Sequence, residues 1–489
     1  MKHSDFRIFL GNPPWSKPGY YGVRAGSRWP HFEEEHLEYM PFPFFLAYAA
    51  AVCERGGFDT LLCDGIAEAI DQDRFVEKIA DFAPHLVVLE VSTISIETDL
   101  ALGRRLRETL GGDTKIAFSG LHNFMIEPAF LAEHTWLDFV LIGEYEMTAL
   151  ELSQRLAEGA SLTGCLGLIH RDGDNVKVEQ RRPLVEDLDS FPWPARHFLP
   201  MHNYHDEPGS IPRPSVQMWA SRGCPYGCIF CAWPQIMYGS RKYRTRSIRD
   251  VVNEMEWLVK ECGFKSVYFD DDTFNIGKQR MLDFAAEVKR RGLFVPWAIM
   301  ARADNMDREI LCALQDAGLY ALKYGVESAS QGILDEIDKK LDIEKVRRTI
   351  DITHELGIKM HLTFMFGLPS ETRETAKQTL DLALSTRPES LQFTIATPFP
   401  GSRYYKMLHE QGRLITDDFG RYDGFRSAVI RTDNLAPEEL EAIVADANAK
   451  WQQFYFQRAK QRGEFVGDPS IKGKVKGGLG RLLNGLRTK

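Results

Sequence analysis

Cys224, Cys228 and Cys231 stand within eight residues of one another, spaced C-x3-C-x2-C in Ser221-Arg222-Gly223-Cys224-Pro225-Tyr226-Gly227-Cys228-Ile229-Phe230-Cys231. Three thiols on one loop can converge on one metal centre, and thiolates favour zinc, copper(I) or iron–sulfur clusters. A structural zinc site asks for a fourth ligand, and a four-cysteine [4Fe-4S] cluster asks for one more thiol. Neither stands nearby. Cys53, Cys63, Cys165, Cys262 and Cys312 are scattered over apparent helix and strand interiors. A cluster held by three protein thiolates leaves one iron corner open to an outside ligand.

The triplet follows the first of six strand-like runs, at 216–220, 266–269, 296–301, 321–326, 359–366 and 390–396, each followed by a helical stretch. Six β-α units in a row predict a parallel (β/α)6 barrel of the TIM type, complete or partial. In such barrels ligands gather at the carboxyl ends of the strands. An earlier series at 6–10, 60–63, 86–91, 115–119 and 139–142 predicts a Rossmann-like, doubly wound α/β domain, again with its ligand side at the strand ends. A hairpin is expected over 164–184 around Arg171-Asp172-Gly173-Asp174, and the proline-bearing stretch 187–205 reads as a connector. The expected division is therefore 1–160 for the front domain, 161–212 for hairpin and linker, 213–410 for the barrel, and 411–489 for a helical extension with a basic, glycine-bearing tail.

The whole chain has 489 residues, 44% hydrophobic and 26% charged, which excludes collagen-like and globally disordered classes. Its formal charge of -9 gives no bulk attraction to nucleic acid, so no nucleic-acid partner is expected. No run reaches the ~20 apolar residues of a membrane-spanning helix. The first residues have no signal-peptide core, and a cytoplasmic location is expected. Eight cysteines are too few for a disulfide scaffold in a chain of this size.

With Phe230 before its last cysteine, the triplet resembles the radical S-adenosylmethionine (SAM) superfamily. The resemblance implies a [4Fe-4S] cluster on Cys224, Cys228 and Cys231, with SAM chelated to the open iron. It also implies SAM contacts from Phe230, from Asp270 and Asp272 in Asp270-Asp271-Asp272-Thr273, and from Arg302, which resembles the arginine that pairs with the methionine carboxylate. Glu327 and Ser328, in Gly325-Val326-Glu327-Ser328, resemble the segment that reaches the ribose or the methionine part. Phe366-Gly367-Leu368-Pro369-Ser370-Glu371-Thr372 is similar to an architectural turn that ends a strand and caps the next helix.

The front domain resembles that of the cobalamin-dependent radical SAM subgroup. The resemblance rests on Asn12-Pro13-Pro14, Glu90-Val91-Ser92-Thr93, Ser119-Gly120-Leu121-His122 and the run ending Ile142-Gly143-Glu144. It implies cobalamin contacts from Asn12, Pro13, Ser92, Thr93, Ser119, Gly120, His122, Gly143 and Glu144. The Asp-x-His-x-x-Gly motif that ligates cobalt from below is missing, which argues against a histidine on the cobalt.

The implied activity is C-methylation of an unactivated carbon after hydrogen abstraction by a 5'-deoxyadenosyl radical, with an external electron donor such as flavodoxin or ferredoxin. A cobalamin-dependent cyclase or oxidative rearrangement enzyme is the catalytic alternative, and a cofactor sensor without turnover is the non-catalytic one. For a small-molecule or lipid-like substrate, the side chains expected to face it are Trp233, Tyr238 and Pro398. Trp451, Phe454, Tyr455 and Phe456 offer a second apolar surface.

Overall fold

A computed structural model describes residues 3–17, 20–23, 31–33 and 39–461. The first two residues and the basic tail expected at the carboxyl end lie outside the described residues.

The front sheet has seven strands: β1 (Arg7–Asn12), β2 (Asp59–Asp64), β3 (Leu86–Val91), β4 (Lys115–Gly120), β5 (Phe139–Leu141), β6 (Leu168–Asp172) and β7 (Asn175–Val178). Five run parallel in the order β2-β1-β3-β4-β5, and β6 and β7 extend that edge antiparallel. Chain direction around β1 and β3 reverses the winding, so the crevice of this sheet opens between their carboxyl ends. β3 is Leu-Val-Val-Leu-Glu-Val and buried throughout, as a central strand covered by helices on both faces must be. The hairpin expected beyond residue 160 forms as predicted, but it pairs through β6 onto β5 and belongs to this sheet rather than to a linker.

The second sheet contains β8 (Ser215–Met218), β9 (Ser266–Phe269), β10 (Trp297–Ala301), β11 (Leu319–Glu327), β12 (Lys359–Phe366) and β13 (Ser390–Ile395). They are all parallel and lie in sequential order, which makes a six-stranded open barrel. After β12, Thr372 caps the helix Arg373–Ser385 with a capping box, the architectural role expected of that turn. In the same turn Glu371 accepts from the Gly367 N–H at 2.5 Å while its Oε1 is buried without a partner.

Burial pushes the Glu371 carboxyl up to about 8. Because the folded value lies above the ordinary glutamate value of ~4.3, folding takes up a proton between the two. The stability this group contributes is complete below its unfolded value and is lost as pH rises through the folded one, at about 1.4 kcal/mol per pH unit. Glu371→Gln is expected to remove that slope, which urea midpoints measured from pH 5 to pH 9 will show.

The helix Phe44–Arg55 joins the two sheets. Ten of its residues, Phe44 to Cys53, are buried, and a helix that is apolar all round must be covered all round. Phe44 stacks on Trp219 at 4.2 Å, and Phe45 reaches Trp233 at 5.6 Å and Tyr145 at 6.0 Å. The connector 187–205 is a buried strap rather than a free linker. Leu188, Phe191, Ala195, Leu199 and Tyr204 join the front core, and Arg196 pairs with Glu254 at 3.0 Å. The last helix, Pro437–Gln461, returns Leu440, Val444 and Ala447 to the barrel core. Trp451 packs at the edge of that core, whereas Tyr455 is exposed. Among the described residues no helix is long and apolar enough to cross a membrane.

Candidate active site

The cysteine loop is closed at its base by a short antiparallel ladder, Ser221–Arg222 against Arg244–Thr245. Gly223 then turns with φ +90°, and a Cβ there would lie 2.1 Å from the Lys242 carbonyl, so no other residue fits. The Asp270 to Thr273 run at the end of β9 holds this base. Asp271 accepts from the Ala220 N–H at 2.9 Å and from the Ser221 hydroxyl, and Asp272 accepts from the Gly223 N–H at 2.9 Å and from the Tyr238 hydroxyl at 2.8 Å. Thr273 Oγ1 lies 3.4 Å from Cys224 Sγ. Gln235 fastens the far side, donating to the carbonyls of Cys228, Ile229 and Cys231 at 3.2, 3.0 and 2.7 Å.

All three cysteines line one cavity at the mouth of the open barrel, together with Phe230, Trp233, Asp272, Thr273, Arg302, Glu327 and Lys339. Burial pushes the Cys228 and Cys231 thiols up. Among the described residues no three His, Cys, Asp or Glu groups stand close enough to hold a single metal ion. A cubane presents separate iron atoms to its three thiolates and does not ask them to meet at a point, so the donor set fits a cluster with one open corner.

Glu327 ends β11 at a bulge where the register with β12 shifts, and its φ is +68°. A left-handed non-glycine residue costs of order 1–3 kcal/mol and is characteristic of functional sites. The bulge aims the carboxylate into the cavity, where Oε1 accepts from Lys339 Nζ at 3.0 Å and Oε2 is buried with no partner. An unpaired buried carboxylate oxygen is costly in isolation and marks a place for a donor from a bound ligand.

Gly325 sits under this pair: a Cβ built on it would be 2.7 Å from Glu327 Oε1 and 3.4 Å from Lys339 Nζ. Gly325→Ala is therefore expected to push the carboxylate off the lysine at a cost of about 1–3 kcal/mol. Displacing that carboxylate within the cavity is expected to weaken SAM binding roughly tenfold, about 1.4 kcal/mol, which anaerobic equilibrium dialysis will measure.

Several sequence expectations need correction. Arg302 lines the cavity, but four of its five N–H donors are spent: Nε and Nη2 on Asp304 at 3.0 and 2.8 Å, and Nη1 and Nη2 on the Lys339 and Lys340 carbonyls, both at 2.9 Å. It stacks on Tyr226 at 3.6 Å and has one N–H left for a ligand. Asp270 is buried outside the cavity lining, and its carbonyl accepts from Trp219 Nε1. Ser328 is also buried away from the cavity, against Thr379 at 3.4 Å and the Ser330 N–H at 3.2 Å, so it shapes a turn.

On the substrate side, Trp233 lines the cavity with its Nε1–H buried and unpaired. Tyr238 is committed to Asp272, and Pro398 lies between the two residues that do line the cavity, Thr397 and Phe399. Lys339 and Gln235 were missed as site residues. Lys339 has no motif around it, and Gln235 stands between Trp233 and Tyr238 with nothing in its own type or spacing to mark it.

In the front domain the candidates divide into two groups. Asn12, Pro13, Ser92 and Thr93 stand at the crevice between β1 and β3, and Asn12 Oδ1 is buried there with no partner. Gly120 lies against the Val91 backbone, and Ser119 is buried with its hydroxyl 3.4 Å from the Leu89 carbonyl. His122 Nδ1 is 3.4 Å from Thr93 Oγ1, and burial lowers its pKa to about 4, which keeps the ring neutral. Phe124 and Phe419 pack edge-on against it.

Gly143 and Glu144 face the barrel instead. Gly143 packs on Arg181 and the Met237 carbonyl, and Glu144 holds Arg244 through two hydrogen bonds at 2.9 and 2.5 Å. Beside it Glu146 pairs with Arg222 at 2.6 Å. Both strands at the base of the cysteine loop are thus fastened to the front domain.

Residues 220–383 match the radical SAM superfamily. The chain carries a radical SAM domain. It is 29% identical over 405 residues to an uncharacterized methyltransferase of Pyrococcus horikoshii, spanning 83% of this chain and 86% of that one. It is also 26% identical over 474 residues to the anaerobic magnesium-protoporphyrin IX monomethyl ester cyclase of Rubrivivax gelatinosus, spanning 92% and 80%. The fold is similar to that of TsrM from Kitasatospora setae, a radical SAM methyltransferase whose structure has cobalamin and a [4Fe-4S] cluster bound. That likeness has a TM-score of 0.67 at 17% identity and covers 90% of each chain, front domain included. The radical SAM domain and the front domain of this chain therefore occur together as one architecture.

Proposed function

We propose that the chain is a cobalamin-dependent radical SAM methyltransferase acting on an unactivated carbon of a small or lipid-like molecule, with an external one-electron donor such as flavodoxin or ferredoxin, in the cytoplasm. When bound, the [4Fe-4S] cluster supplies the electron that cleaves SAM to methionine and a 5'-deoxyadenosyl radical, and methylcobalamin supplies the methyl group. The residues supply position. Cys224, Cys228 and Cys231 hold the cluster, the free Glu327 oxygen and Asp272 accept from the ammonium and hydroxyl groups of SAM, and Phe230 and Trp233 keep water from the reacting carbon. Asn12, Ser92 and Thr93 would take the tail of the corrin at the crevice between β1 and β3.

One observation carries this reading: the front domain is fastened by Glu144 and Glu146 to the base of the cysteine loop itself. A second cofactor held there would keep a fixed distance from the first.

The likeness to a cyclase gives the second reading, ring closure with the same cofactors. Anaerobic reconstitution of the full chain followed by mass spectrometry of the SAM products separates them. 5'-Deoxyadenosine together with S-adenosylhomocysteine is the expected result. Deoxyadenosine alone favours the cyclase, and neither product leaves only a sensor.

A further inference from the structure

Lys339 is built into the cavity at a cost in backbone strain. It follows the short helix Gln331–Glu336 in the run Asp338-Lys339-Lys340, where Lys340 is exposed but Lys339 is only 6% exposed. Its neighbours Asp338 and Lys340 both take left-handed backbone, with φ +55° and +51°, and Arg302 binds the carbonyls of Lys339 and Lys340. With Glu327 at +68°, three strained non-glycine residues surround one buried ion pair. Strain of that kind persists only where the surroundings enforce it. What it achieves here is to place one ammonium in the cavity that the three cysteines line.

Lys339 and the three cysteines line the same cavity, and the Ile337 carbonyl, two residues before Lys339, accepts from the Ile229 N–H of the cysteine loop at 3.0 Å. Lys339 Nζ donates to Glu327 Oε1 at 3.0 Å with both side chains buried, so the two are held as an ion pair. In a site of low dielectric a fixed charge next to a ligand sulfur shifts the electron affinity of whatever that sulfur binds.

We propose that the Glu327–Lys339 pair sets the reduction potential of the cluster: the Lys339 ammonium in the cavity that the three cysteines line stabilises the reduced form, and Glu327 offsets part of that effect. This rests on the assignment of the cluster to Cys224, Cys228 and Cys231.

The test is a redox titration, followed by electron paramagnetic resonance, of the full chain reconstituted with iron and sulfide and kept free of SAM. Lys339→Met is expected to move the midpoint to more negative potential, so that less cluster is reduced at a fixed dithionite poise. Glu327→Gln should move it to more positive potential, the double variant should return towards the wild type, and Lys339→Arg should stay close to it.

Opposite signs from the two halves of one pair are not a result that a merely structural role produces. If Lys339→Met takes up too little iron to titrate, the isosteric Glu327→Gln decides the matter, because an unchanged midpoint there overturns the proposal. Unmoved midpoints with weakened SAM binding would also overturn it and leave Lys339 as a ligand for SAM alone. If the wild-type chain itself takes up no cluster, the assignment of the cysteines fails instead.

Discussion

Arg222→Met is expected to destabilise the chain by about 3–5 kcal/mol, the cost of removing one partner from a buried ion pair. The Arg222 side chain is 3% exposed and that of Glu146 1%, with 2.6 Å between their charged atoms. Tyr48, Phe191, Trp219 and Phe45 surround the guanidinium at 4.7 to 5.3 Å, so water cannot replace it. In the variant Glu144 keeps Arg244, but Glu146 is left without a counter-ion.

Burial already raises the pKa of Glu146, and without Arg222 it rises further. The lone carboxylate then takes up a proton on folding, so the deficit should be smaller at pH 5 than at pH 8. Arg222→Met combined with Glu146→Gln should recover most of the loss. Urea denaturation at both pH values measures all of this, and a single-variant cost below about 1 kcal/mol would show the clamp to be energetically idle.

The second large effect is chemical. Cys228→Ser is expected to reduce SAM cleavage at least a thousandfold, or about 4 kcal/mol of barrier, because serine replaces a soft thiolate that holds iron with a hydroxyl that does not. Cys224→Ser and Cys231→Ser should behave alike. Cys262→Ser and Cys312→Ser, on side chains that do not line the cavity, should keep both iron and activity. Iron content and the yield of 5'-deoxyadenosine, measured on the same samples, check both halves of this expectation.

Much of the architecture is legible in the sequence because the signals are periodic or local. The strands at 86–91, 266–269 and 359–366 coincide with β3, β9 and β12 because each is rich in β-branched, aromatic or other apolar residues and ends at a sharp break. The cysteine spacing likewise identifies its own loop. Side-chain direction at the ends of strands is another matter. Glu327 and Ser328 are adjacent in one motif, yet the bulge in β11 sends the first into the cavity and leaves the second against Thr379. Arg302 carries the right charge in the right place, but the nearby Asp304 and the carbonyls of a loop 37 residues further on take most of its donors.

Contacts between distant segments were the least legible of all. Glu144 reads as a crevice residue when only its own strand is considered, and it becomes an interface residue because Arg244, 100 positions away, lies opposite. Lys339 sits in a polar surface-like run, and only the left-handed turns on either side of it reverse its direction. The hairpin at β6 and β7 was visible from its Asp-Gly turn, but its partner strand was not.

On the proposed reading three thiolates leave one iron free, and SAM docks on it. The most direct measurement is the electron paramagnetic resonance spectrum of the dithionite-reduced, reconstituted full chain before and after SAM is added. A cluster signal whose g-values shift on addition of SAM is the expected result. A cluster signal that SAM leaves unchanged, in a protein that binds SAM, would contradict it.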